Sequence, residues 1–271
     1  MQFFQPGTLD EALQIKAQHG SGAFFLAGGT DLVVLRNRGR VKGHVWIDLS
    51  QVPGLDGFLE ADGSLHIGAR CPHGSLERSR FTALAEAAAS VGGPQIRHRG
   101  TVGGNVGNAS PAGDVSVALL AHDAEVELRS LQGTRCLKLD AFFLAPGKTA
   151  IAPDEIITAF RVPTDVRSAW FKVGKREATA ISVVAAAVGV RASGAVHIAL
   201  GSVAPRPIRV PAAEAMLAER GLSTETAELA GALVREAVSP ITDARASADY
   251  RRDLAGTLVS RLLTGLIAAP V

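Results

Sequence analysis

The groups best suited to chemistry in this chain are main-chain ones. The stretch from Arg97 to Asp114 holds Gly100, Gly103, Gly104, Gly107 and Gly113, with Asn105, Asn108 and Ser110, between an alanine-rich segment and another apolar run. Residues so poor in large side chains make no core. Glycine lets a backbone bend through positive φ and approach a ligand closely, and successive amides pointing one way form a concavity for anions. A shorter version, Leu26-Ala27-Gly28-Gly29-Thr30-Asp31-Leu32, lies about seventy residues upstream. The pair suggests two walls around one phosphorylated ligand. The expected donors are the amides of Gly28, Gly29 and Thr30 on one side, and of Thr101, Gly103, Gly104 and Asn105 on the other. Thr30 and Thr101 add hydroxyls, and Asn105 can both donate and accept. Taken singly, either segment reads as a structural turn.

Other chemistries lack their residues. Gly147-Lys148-Thr149 ends like a nucleotide phosphate loop, but the glycine that should open it is Phe142. No G-x-G-x-x-G opens a helix, which argues against a dinucleotide-binding Rossmann unit. No G-x-S-x-G or H-E-x-x-H occurs, so hydrolytic readings lack a nucleophile or a metal pair. His98 has no second His or Cys at ligand spacing, and Cys71 and Cys136 are too few for an iron–sulfur cluster. No catalytic residue and no metal ligand is expected, and a bound cofactor must supply the reactive group.

Ala27-Gly28-Gly29-Thr30-Asp31-Leu32, followed by Thr101-Val102-Gly103-Gly104-Asn105 and Ser110-Pro111-Ala112-Gly113-Asp114, resembles the FAD-binding medium subunit of molybdenum hydroxylases, the xanthine dehydrogenase and carbon monoxide dehydrogenase families. The resemblance continues through Phe171-Lys172-Val173-Gly174-Lys175-Arg176-Glu177 and Ser239-Pro240-Ile241-Thr242-Asp243-Ala244-Arg245-Ala246-Ser247, and so covers nearly the whole chain. His98 departs from it, standing where relatives often have asparagine. The resemblance implies an oxidoreductase subunit that binds FAD through Ala27, Gly28, Gly29, Thr30, Asp31, Leu32, Val91, Thr101, Gly103, Gly104, Asn105, Asp114, Ile157 and Lys172. In that family Asp114 contacts FAD, although it also reads as a helix cap. Lys172, an unexpected charge in mid-strand, contacts the flavin, and Val91 and Ile157 touch the cofactor through backbone or apolar contact. The implied partners are a small subunit with two [2Fe–2S] clusters and a large molybdopterin-binding subunit. Electrons then pass to NAD, a quinone or oxygen. Two other readings stand beside this one: a stand-alone FAD-dependent oxidase or dehydrogenase, and a scaffold that has lost FAD.

The bulk of the chain must position those groups. At 271 residues, 47% hydrophobic and 20% charged, it is an ordinary globular sequence with room for two or three domains. A net charge of +2 argues against nucleic acid as a partner. The start lacks a basic and apolar leader, and no apolar run approaches the roughly twenty residues of a membrane span. With sparse cysteine this predicts a cytoplasmic protein.

Thr8 and Glu11 form a capping box for a helix closed by Gly20, and residues 23–27 form a strand that delivers the first glycine segment. A helix starts at Leu32, and 45–49 is another strand. Arg36, Arg38, Arg40 and Lys42 read as a solvated turn, or as a docking patch or adenosine phosphate contact. A Pro/Gly linker spans 51–57. A strand over 64–69, a helix over 80–91, the glycine loop, a helix over 115–121 capped by Asp114, and strands over 125–128, 136–139 and 156–162 follow. Beyond Pro163, strands over 169–173, 182–190 and 195–203 suggest a three-stranded antiparallel sheet, and three helices follow. Leu254, Leu258, Leu262 and Leu266 give the last one a core-facing stripe. The expected fold is α+β. Residues 1–54 and 55–165 form two subdomains that, by the resemblance, make a PCMH-type FAD-binding fold. Residues 166–271 form a C-terminal domain like that of carbon monoxide dehydrogenase flavoproteins.

Overall fold

A computed structural model describes residues 2–268. The first unit is a three-stranded parallel sheet in which Val45–Asp48 lies between Gln2–Phe4 and Ala23–Leu26. Helix Leu9–His19 buries Ala12 and Leu13 against it. Thr8 caps that helix by accepting from the Glu11 amide, while the Glu11 carboxylate accepts from the Gly7 amide, one residue short of the reciprocal box expected. Gly20 ends the helix at φ 52°. The Gln2–Phe4 strand has no counterpart in the sequence reading. The supposed linker is also more than a spacer, because Val52 and Leu55 are buried in this unit's core.

The second unit is a five-stranded antiparallel sheet in the order Phe58–Ala61, Ser64–Gly68, Ile156–Pro163, Glu125–Ser130, Gly133–Lys138. A bulge interrupts its centre between Ile157 and Ala159. The helix expected over 80–91 is shorter, Thr82–Ala89. The stretch read as one long loop is mostly helical, forming Pro94–Arg99 and Val102–Gly107. Pro94 sits in the first turn of one, where its missing N–H costs nothing. Thr101 caps the other, its Oγ1 accepting from the Gly104 amide at 3.1 Å. Helix Asp114–Ala121 follows, and all eight of its residues are buried, which makes it the central element of the molecule. Gly113 is its cap and Asp114 its first residue, so the expected Asp114 cap is displaced by one position.

The third unit covers that helix with an antiparallel sheet of Val166–Val173, Val184–Arg191, Val196–Gly201 and a short fourth strand, Ile208–Arg209, beyond the three expected. Alternation on Val184–Arg191 sends Ala185 and Ala187 into the core shared with the buried helix. Val184, Ala186 and Val188 go into a second core under helices Pro211–Arg220, Thr224–Ala237 and Ala248–Ala268. Both faces are covered, so the strand reads as an unbroken apolar run. Leu258 and Leu266 are buried in the second core, with Leu254 and Leu262 packed at its edge.

His122 ends the buried helix and is itself fully buried. Its Nδ1 donates to the Ala118 carbonyl at 2.8 Å, while Nε2 has no partner among the described residues. Burial pushes its pKa down to about 4. The unfolded chain therefore takes up a proton near pH 6.5 that the folded chain refuses until about 4, and stability falls as pH is lowered through that window. His122→Asn keeps the donor and removes the titration. Urea midpoints from pH 7 to 4 should decline less steeply in this variant. The decline should not vanish, because His73 is also held down to about 4 by burial and by Arg97.

Candidate functional site

A cleft of about 360 Å³ opens between the first and second units. The strand Ala23–Leu26 delivers Ala27, Gly28, Gly29, Thr30, Asp31 and Leu32 to one side, and Thr101, Gly103, Gly104 and Asn105 face them from the other. Val91 and Ile157 complete the set, so twelve of the fourteen expected residues line one space.

The two sides differ in what they offer. Gly29 turns the first loop at φ +75°, a conformation that favours glycine. Among the described residues, the amides of Gly28, Gly29, Thr30 and Asp31 have no hydrogen-bond partner. They are available to an anion. On the second side three of the four expected amides are already used, and among the described residues only that of Thr101 has no partner. Gly103 donates to the Ala69 carbonyl at 2.7 Å, Gly104 to Thr101 Oγ1, and Asn105 to the Thr101 carbonyl at 2.9 Å. Asn105 Oδ1 accepts from the Ser116 amide and hydroxyl, so the side chain is held by the buried helix and keeps its NH₂ for the cleft.

The glycines serve chain-to-chain contact as much as any ligand. A Cβ on Gly28 would fall inside the Arg99 carbonyl, and one on Gly103 would lie 2.7 Å from the Ala69 oxygen.

Asp114 and Lys172 are not in the lining. They form a largely buried ion pair at 2.6 Å outside it. Lys172 Nζ also donates to the carbonyls of Ser90 and Ala180, and Asp114 accepts from the hydroxyls of Ser90 and Ser182. The pair thus joins the second unit to the third and fixes the residue before Val91. Sequence reasoning missed several lining residues: Phe24, Phe25, His73, Ile96, Ile151 and Ile156. Of these only the phenylalanines, next to the glycines on the delivering strand, carried a local signal.

Outside the cleft, Arg36 stacks over the Trp46 ring at 5.5 Å, and Arg38, Arg40 and Lys42 face solvent. Burial pushes the Cys71 thiol up to about 12. Among the described residues no group of His, Cys, Asp and Glu could hold a metal ion, and no helix is long and apolar enough to cross a membrane.

This architecture and loop pattern have close relatives. The family model of the FAD binding domain in molybdopterin dehydrogenase matches residues 1–165, and that of the CO dehydrogenase flavoprotein C-terminal domain matches residues 169–266. The xanthine dehydrogenase FAD-binding subunit of Escherichia coli O157:H7 is 32% identical over 281 residues, covering 98% of this chain and 96% of that protein. The nicotinate dehydrogenase FAD-subunit of Eubacterium barkeri is 33% identical over 283 residues, with the same coverage of 98% and 96%. The structure of carbon monoxide dehydrogenase from Hydrogenophaga pseudoflava superposes with a TM-score of 0.91 at 31% identity, covering 99% of this chain and 97% of that one. The chain belongs to the FAD-binding flavoprotein family of the molybdenum hydroxylases, and within it is an oxidoreductase subunit.

Breaking the buried pair tests its structural share. Lys172→Met leaves the Asp114 charge uncompensated and should cost about 3–5 kcal/mol in urea unfolding. Asp114→Asn combined with Lys172→Met should recover part of that loss.

Proposed function

We propose that FAD lies in this cleft and that the chain passes electrons between iron–sulfur clusters of a partner subunit and an acceptor such as NAD, a quinone or oxygen. The observation that carries the reading is the row of four unpartnered amides from Gly28 to Asp31, facing a largely apolar opposite wall. Amides meet a diphosphate without a mobile side chain, and the apolar wall suits a flat ring system. Thr30 and the Asn105 NH₂ add donors, while Val91 and Ile157 supply packing. Asp114 and Lys172 support the site from outside the lining through Ser90.

FAD, when bound, exchanges electrons singly or in pairs, which suits a step between one-electron clusters and a two-electron acceptor. The chain's own residues bind, orient and enclose it. The partner subunits are inferred from relatives whose names are those of component chains, such as the carbon monoxide dehydrogenase medium chain of Hydrogenophaga pseudoflava. Two free cysteines, one buried and one exposed, support a reducing cytoplasmic setting.

The purified chain should carry about one FAD per polypeptide by absorbance, and added FAD should raise its melting temperature. Gly28→Val, which pushes a side chain into the Arg99 carbonyl, should lower flavin content at least about tenfold. A colourless wild-type chain that gains no stability from FAD would overturn the reading. Activity of the isolated chain on an organic donor would overturn the electron-relay role in favour of a stand-alone oxidase.

A further inference from the structure

His73 lines the cleft, yet no sequence signal marked it. The residue is 2% exposed and, among the described residues, neither ring nitrogen has a hydrogen-bond partner, Nδ1 being fully enclosed. The backbone is well anchored, since the His73 amide donates to the Gly100 carbonyl at 3.0 Å. The ring packs on Gly100 so closely that a Cβ there would lie 3.1 Å from its Cδ2. Gly28 of the first loop meets the same short segment, at Arg99 and Gly100. His73 therefore stands at the seam where the two glycine segments touch, in the cleft that the unpartnered amides also line.

An enclosed imidazole with no partner destabilises a fold unless something outside the chain pairs with it. His122 shows the ordinary alternative, with Nδ1 satisfied by its own helix. Burial and the nearby Arg97 hold the His73 pKa down to about 4, so at neutral pH the ring is uncharged and has one N–H donor and one acceptor nitrogen. A neutral donor lining the same cleft as the free amides extends that anion-binding surface without adding a charge.

We propose that His73 is a cofactor-holding residue whose imidazole donates a hydrogen bond through Nε2, the nitrogen that is not fully enclosed, to the FAD diphosphate, alongside the amides of Gly28 to Asp31. This rests on FAD occupying the cleft. Cofactor binding pairs Nε2 and returns that part of the stability the unpartnered ring costs the chain.

The test uses the full chain stripped of flavin and titrated with FAD by fluorescence quenching, with urea unfolding of the same preparations. His73→Leu should raise the FAD dissociation constant about tenfold, the scale of one lost hydrogen bond. The flavin-free midpoint should hold or rise, because the orphaned nitrogens are gone. His73→Gln, which keeps a donor, should recover part of the affinity. Competition by ADP, which carries a diphosphate without the flavin, should weaken in His73→Leu in parallel with FAD. Unchanged FAD affinity in His73→Leu overturns the proposal. So does a flavin-free His73→Leu chain that is destabilised while His73→Gln binds no better, since the ring would then be packing. ADP competition that does not change while FAD weakens overturns the diphosphate as the partner. A wild-type chain with no affinity for FAD fails the reading of the cleft itself, and Gly28→Val is the control that separates the two cases.

Discussion

Where Gly28 meets Arg99, and Gly103 meets Ala69, two lengths of main chain touch with no room for a Cβ between them. The cleft depends on this constraint. It brings a loop of the first unit against the end of one short helix, and packs the next short helix onto the second sheet. The same device recurs at the central helix, where a Cβ on Gly189 would enter the Ala121 carbonyl and one on Gly201 would lie 2.7 Å from Val117. Close backbone approach leaves few ways for the parts to slide. Positions fixed in this way hold free amides in place more firmly than a mobile side chain could.

The two walls of the cleft consequently divide the work. The first keeps its amides unpaired and can receive an anion. The second uses the amides of Gly103, Gly104 and Asn105 to hold itself together, through the Ala69 carbonyl and the Thr101 hydroxyl and carbonyl, and presents Asn105 and smooth glycine surface to the cleft. Outside both, Asp114 and Lys172 join the buried helix to the covering sheet in a network where every ammonium proton has an acceptor. Charges so enclosed are tolerated because their hydrogen bonds are complete.

Much of this was legible in the sequence where the signal was local. Thr8, Gly20, Pro211 and the alternating strands announced their elements through capping and periodicity. The glycine segments announced the two sides of the site, and the family resemblance supplied the cofactor. Where the partners lie far along the chain, the reading failed. Val102–Gly107 is helical because Thr101 caps it and the carbonyls of Cys71 and Ala69, some thirty residues earlier, receive its first amides. Local propensity, dominated by three glycines, argues the other way. Lys172 stood out as a charge within a strand, but its partner Asp114 is 58 residues away. His73 gave no signal, since whether a histidine is enclosed and unpaired is decided by tertiary packing.

The strand Val184–Arg191 has one face in each of two cores, and the buried helix Asp114–Ala121 owes part of its cover to that strand. The border between the two matched family regions, at 165 and 169, is therefore a seam in sequence but not in packing. A truncation at that point would strip an apolar helix of its lid and leave a sheet of alanine and glycine facing water. The flavin-binding half and the C-terminal half share one buried apolar core, built from a helix of the first and a strand of the second.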